Sequence, residues 1–163
     1  HAHGIDPHIW TSPRALKQMA ANAYDALRTS FPDSVRYTEN YEKLLVRLDS
    51  LDTACAEALR QADVHTIVIY HPALTYYAAD YGLEQLAVEH DGKEPSARHL
   101  ARLIEEARRK KVRRVFYQAQ YPASTVKVIA EDIGARSVKI DPLREDVIEN
   151  IGEITRQLTS GNE

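Results

Sequence analysis

The spacing of apolar positions changes near residue 63. Before that point Tyr37, Tyr41, Leu44, Leu45, Leu48, Leu51, Cys55, Ala58 and Leu59 recur at helical intervals with Glu, Lys, Arg and Asp between them. This predicts one helix of about thirty residues, on the order of 45 Å long at about 1.5 Å per residue. A small domain does not need such length to cover its sheet, so the helix reads as a long packing or coiled-coil helix, or as a rigid strut between two lobes. An earlier helix starts at Ser12-Pro13, where Ser12 caps and Pro13 suits the first helical position, and runs to about Thr29. Phe31-Pro32-Asp33 breaks it.

From residue 64 onward short apolar runs alternate with amphipathic stretches. Strands are predicted over 64–70, 84–88 (the weakest), 112–117 and 137–140, and helices over 74–81, 96–109, 123–133 and 146–158. Gly82 and Gly134 stop two of these helices, and Pro95 opens another. Repeated strand-helix units imply an α/β fold: a parallel four-stranded sheet with flanking helices and right-handed crossovers, preceded by a helix and a long helix.

Ligands of open parallel sheets bind beyond the carboxyl ends of the strands. His71 follows the first strand of the sheet and Asp141 the last, each followed by a stiffening proline. A strand-end histidine bonded to a carbonyl, and an aspartate capping the last helix, remain alternatives for these two. His8, in Asp6-Pro7-His8-Ile9-Trp10, also precedes a helix. Two imidazoles and a carboxylate supply borderline nitrogen and hard oxygen donors suited to zinc or another first-row divalent ion, and a fourth donor would complete a tetrahedron. No fourth member is evident. His65 begins a strand at its wrong end, His90 lies in a polar loop and His99 on a helix, so these three read as structural or solvated.

Composition narrows the function classes. With 44% hydrophobic and 28% charged residues among 163 and a formal charge of −3, the chain is an ordinary globular protein without the unopposed basic stripe that nucleic acid requires. The basic run Arg108-Arg109-Lys110-Lys111 sits at a helix end, where cations complement the macrodipole. The single cysteine, Cys55, excludes an intrachain disulfide and a Cys-based zinc site, and lies on the apolar stripe of the long helix as a buried thiol would. No apolar run approaches the roughly 18 residues needed to span a bilayer, and no signal peptide opens the chain. It starts abruptly at His1-Ala2-His3-Gly4, so a processed form or fragment is expected.

In this order the motifs resemble the zinc- and manganese-binding solute receptors of ABC transporters, a family that includes adhesion lipoproteins. Asp6-Pro7-His8-Ile9-Trp10-Thr11-Ser12-Pro13 is similar to the segment before the last helix of the family's N-terminal lobe, and the long helix to its interlobe strut. The segment from His71-Pro72-Ala73 to Tyr81-Gly82-Leu83 resembles the third-ligand segment, Glu94-Pro95-Ser96 the next helix start, and Ile140-Asp141-Pro142-Leu143 the final ligand. The resemblance implies metal ligation by His8, His71 and Asp141. It also implies three segments: 1–31, the metal-motif loop and last helix of an N-terminal lobe; 32–62, the interlobe helix; and 63–163, the C-terminal α/β lobe.

Histidine instead of glutamate at position 71 implies zinc as the cargo, with manganese second. His1 and His3 resemble the tail of a His-rich loop, with a tag remnant as the alternative. Leu74 departs from the aromatic residue usual there. The family's N-terminal sheet and first histidine ligand have no counterpart in this sequence, which implies an incomplete site, weakened or absent metal binding, and a His8 loop displaced from His71 and Asp141. An exposed apolar face on the helix from Pro13 would favour self-association. The implied function is extracytoplasmic metal capture for an ABC permease, with any lipid anchor outside this chain and no catalysis. Two other readings are a metal-dependent hydrolase using the same three residues, with Glu94 as its base, and an adhesin or partner-binding module. Against the hydrolase, the chain lacks a His-Glu-x-x-His helix, a Gly-x-Ser-x-Gly turn and a phosphate-cradling loop.

Overall fold

The computed structural model describes residues 4–161. His1 and His3 lie outside the described residues. A 3-10 turn at Ile9–Thr11 leads into α1 (Pro13–Ser30) and α2 (Val35–Gln61). Then β1 (Thr66–Ile69), α3 (Thr75–Asp80), β2 (Glu84–Ala87), α4 (Ala97–Arg109), β3 (Arg114–Gln118), α5 (Ala123–Ile133), β4 (Arg136–Ile140) and α6 (Val147–Thr159) alternate as the sequence predicts. The four strands are parallel in the order β2-β1-β3-β4. The chain therefore winds one way from β1 to β2 and the other way to β3 and β4, which opens a crevice at the carboxyl ends of β1 and β3.

Period-two alternation along β1 builds both sides of the core. Ile67 and Ile69 face Cys55, Leu59, Tyr77, Ile151, Ile154 and Leu158 of α2, α3 and α6, whereas Val68 and Tyr70 face Leu103, Ala107, Val126 and Ile129 of α4 and α5. The sheet is thus covered on both faces, as a parallel sheet must be. The 27-residue α2, about 40 Å long at about 1.5 Å per residue, packs on α6 with its C-terminal half and pairs with α1 along the rest. Tyr24 of α1 stacks on Tyr41 of α2 with ring centres 4.4 Å apart. Met19, Leu27, Phe31, Val35 and Val46 of this helical pair are exposed.

Strands β1 and β3 begin two residues later than the apolar runs predict, for one reason. Helices α2, α3, α4 and α5 all close with a left-handed residue followed by a backbone bond reaching back five positions, a Schellman ending. Asp63 (φ 54°), Gly82 (φ 67°), Lys111 (φ 53°) and Gly134 (φ 69°) are the left-handed residues. Val64, Leu83, Val112 and Ala135 donate to Leu59, Ala78, Ala107 and Ala130 respectively. The two glycines announce this ending in the sequence. Asp63 and Lys111 do not, so Val64 and Val112 look like strand residues while belonging to helix exits.

Candidate metal site

His71 leaves β1 at its carboxyl end and is fixed on both sides of its backbone. Fully buried Gln118, at the end of β3, donates Nε2 to the His71 carbonyl at 3.0 Å and accepts from the His71 N–H at 3.5 Å. The imidazole stacks on Tyr121 with ring centres 5.2 Å apart and planes 14° from parallel. Its Nδ1 lies 2.6 Å from Oε1 of Glu89, a residue just beyond β2 whose own N–H bonds the Tyr70 carbonyl. The Glu89 side chain is only 8% exposed. A carboxylate accepts, so Nδ1 carries the proton and Nε2 keeps its lone pair.

His8 repeats this arrangement from the other side of the cleft. It immediately precedes the 3-10 turn, where Asp6 Oδ1 accepts from the His8 N–H at 2.9 Å and from its ring Nδ1 at 2.6 Å. Burial pushes the Asp6 carboxyl up, but hydrogen bonds from Thr75 and His8 outweigh it and hold the group below the usual carboxylate range. The ring centres of His8 and His71 are 5.1 Å apart at 69°. Two imidazoles on one tetrahedral zinc, with each nitrogen about 2.0–2.1 Å from the metal, place their ring centres about 5 Å apart.

The His8 loop is not displaced, contrary to the expectation from sequence. Tyr76 of α3 donates its hydroxyl to the Asp6 carbonyl at 2.6 Å, and Trp10 donates Nε1 to the Pro142 carbonyl at 2.9 Å. Ser12, the α1 cap, donates Oγ to Asp80 at the end of α3 at 2.5 Å. These three bonds hold the segment bearing His8 against α3, which follows His71, and against the loop bearing Asp141.

Asp141 follows β4 on the rim. Its Oδ1 accepts from the Leu143 N–H at 3.0 Å, and its carbonyl accepts from Asn150 of α6 at 2.8 Å. It does not cap α6; Asp146 does, through the Glu149 N–H. The structure brings His8 and His71 together and leaves Asp141 exposed on the neighbouring loop. Among the described residues no three His, Cys, Asp or Glu side chains converge closely enough to hold a metal. Glu94, the candidate base of the hydrolase reading, is exposed on the loop before α4. His65 points to solvent and pairs with Asp63, while His99 bonds the Ala87 carbonyl.

Asp6, Glu89 and Gln118 carry the geometry and escape a sequence reading. Asp6 stands visibly two residues before His8, but only the ring geometry reveals its role. Glu89 lies just beyond β2 and Gln118 ends β3, so the rule that singles out His71 also applies to them. A weak strand and an amide side chain gave no chemical signal.

The family described as zinc-uptake complex component A, periplasmic (ZnuA) matches residues 1–159. Zinc-binding lipoprotein AdcA of Streptococcus pneumoniae is 32% identical over 146 residues, 88% of this chain and 29% of that protein. High-affinity zinc uptake system protein ZnuA of Bacillus subtilis is 27% identical over 87% of this chain and 46% of that protein. A crystal structure of ZnuA superposes with a TM-score of 0.89 at 31% identity, covering 97% of this chain and 62% of its own. The periplasmic zinc binding protein TroA of Treponema pallidum, at 17% identity and a TM-score of 0.81, shares the fold. The chain thus spans less than two thirds of the length of these relatives. Within that span, fold and family agree from end to end: the chain belongs to the ZnuA family of periplasmic zinc-uptake components.

Proposed function

We propose that the chain contributes a zinc-binding face to an extracytoplasmic receptor that captures the ion and delivers it to an ABC importer. One observation carries this reading. His8 and His71 stand at the separation expected of two imidazoles on one tetrahedral ion, and each has its Nδ1 held by a carboxylate, Asp6 or Glu89. A carboxylate–histidine–metal relay orients the ring, fixes the tautomer and makes Nε2 a better donor. Zinc is the cargo. Nitrogen donors favour it over manganese, which is the second choice. The names of the relatives, zinc-binding AdcA and high-affinity zinc uptake protein ZnuA, point the same way.

Asp141 supplies the third donor. The Trp10–Pro142 bond ties its loop to the His8 segment, so a modest movement of one exposed carboxylate completes a three-donor set. A fourth position is filled by water here, and by a donor of the other lobe in the longer receptor. In that receptor residues 1–31 close the N-terminal lobe, 32–62 form the strut and 63–163 the second lobe. Three protein donors instead of four give this chain weaker binding than the whole receptor. The chain binds and does not catalyse. The exposed apolar residues of α1 and α2 drive self-association of this chain, and a monomeric mass by light scattering at high concentration contradicts that.

Calorimetric zinc titration tests the assignment. The variants His71→Ala and His8→Ala each lose the tight phase, and Asp141→Ala weakens it. Unchanged affinity in His71→Ala overturns the reading.

A further inference from the structure

The rim holds a second imidazole pair. His90 and His99 have ring centres 5.1 Å apart, the same separation as His8 and His71, with planes tilted by 38°. We propose that His90 and His99 form a second, weaker site for a divalent first-row cation, outside the cleft and independent of the function proposed for the first pair.

Both imidazoles stand on well-defined backbone. His90 and Lys93 exchange two backbone hydrogen bonds of 3.0 Å across Asp91 (φ 51°) and Gly92 (φ 72°). Two successive left-handed residues make this a tight hairpin turn of type I′. His99 lies in the first turn of α4, where its N–H bonds the Ser96 cap at 3.1 Å, and its Nε2 lies 3.1 Å from the Ala87 carbonyl. A carbonyl only accepts, so Nε2 carries the proton and Nδ1 presents a lone pair. That bond does for His99 what Glu89 does for His71: it fixes the tautomer and leaves one nitrogen for a metal.

The surroundings favour a cation. Between residues 89 and 94 the chain carries the carboxylates of Glu89, Asp91 and Glu94 against the one ammonium of Lys93. Asp91 Oδ2 is 3.6 Å from His90 Nε2, beyond a direct hydrogen bond yet close enough to bond a water on the ion. Among the described residues no third protein donor completes a cluster, so water fills the remaining positions. The His90 side chain is 67% exposed, which makes the site accessible and exchangeable. His90 directly follows Glu89, the residue that orients His71, so this outer pair lies next to the cleft pair along the chain.

Zinc titration by calorimetry, with imidazole resonances followed by NMR, tests the proposal. The intact chain shows a tight phase and a weaker one. His90→Ala and His99→Ala each remove the weaker phase and leave the tight one unchanged, whereas His71→Ala removes the tight phase and leaves the weaker. His65→Ala, which deletes an exposed histidine without an imidazole neighbour among the described residues, changes neither. In the intact chain the His90 and His99 resonances shift together during the weaker phase, a readout that needs no substitution. A weaker phase that survives in both His90→Ala and His99→Ala, or that is absent from the intact chain, overturns the proposal. Failure of His71→Ala to alter the tight phase counts against the cleft site alone.

Discussion

Replacing Glu89 with Gln removes a charge and almost nothing else. Gln is isosteric, and its amide oxygen still accepts from His71 Nδ1, now at 2.6 Å from Glu89 Oε1. The ring should keep its place and tautomer while Nε2 loses the basicity that the anion lends it. Outer partners of metal-bound histidines typically contribute 10–100-fold in affinity, about 1.4–2.7 kcal/mol. The Glu89 side chain is 8% exposed and that of Asp6 27%. Less water screens Glu89, so its effect falls in the upper half of that range and that of Asp6→Asn in the lower half. Calorimetric competition with a chelator gives both affinities, and circular dichroism checks the fold. Unchanged zinc affinity in Glu89→Gln, or a larger loss in Asp6→Asn, refutes the claim that these carboxylates orient and activate the two imidazoles.

Other consequences follow from the same geometry. Trp10→Phe deletes the bond to the Pro142 carbonyl; it lowers stability in urea by about 0.5–1.5 kcal/mol and weakens zinc binding by loosening the Asp141 loop from His8. Thr155→Val removes the hydroxyl that lies 2.7 Å from the buried Tyr77 hydroxyl and lowers stability by about 0.5–1.5 kcal/mol, measured as a fall in Tm. Asp52 joins α1, α2 and α3 by accepting from Arg14, Lys17 and Tyr81. Burial raises its carboxyl, but hydrogen bonds from Tyr81, Lys17 and Arg14 outweigh this and hold it below the usual carboxylate range. The stabilisation from Asp52 is therefore present above the ordinary carboxylate range and lost as pH falls through its depressed folded value. Urea unfolding of Asp52→Asn should show a deficit near neutrality, about 1 kcal/mol for partly exposed pairs, that vanishes in acid. Zinc affinity itself declines with acid, because protons compete for the imidazole lone pairs; titrations at successive pH values check this.

Much of the fold was legible because each buried strand is a short apolar run and most helices carry their own punctuation. Ser12-Pro13, Gly82, Pro95 and Gly134 state where helices start or stop. Where a charged residue takes the left-handed position, as Asp63 and Lys111 do, the punctuation is silent, since their conformation is set by the backbone bond behind them and not by their own preference. The site divides similarly. His71 and Asp141 could be read from their places after apolar runs, because the topology of a parallel sheet brings strand ends to one edge. The pairing of His8 with His71 depends on contacts 70 and 132 residues apart along the chain, from Tyr76 to Asp6 and Trp10 to Pro142, and no local pattern encodes them. Glu89 was hidden for a different reason: a carboxylate after a weak strand looks like any solvated loop residue until its burial is known. His90 and His99 each looked ordinary alone, and only the turn and the α4 cap set their rings side by side.

In the proposed site His8 and His71 hold the ion through Nε2. X-ray absorption at the zinc edge tests it most directly, with half an equivalent of zinc so that the tighter site fills first. In the His90→Ala, His99→Ala background, where the outer pair is absent, two imidazole nitrogens at about 2.0–2.1 Å are expected, and that pattern is lost when His8→Ala and His71→Ala are added. An imidazole signal that survives the added pair of substitutions, or a first shell of oxygen alone without them, overturns the assignment.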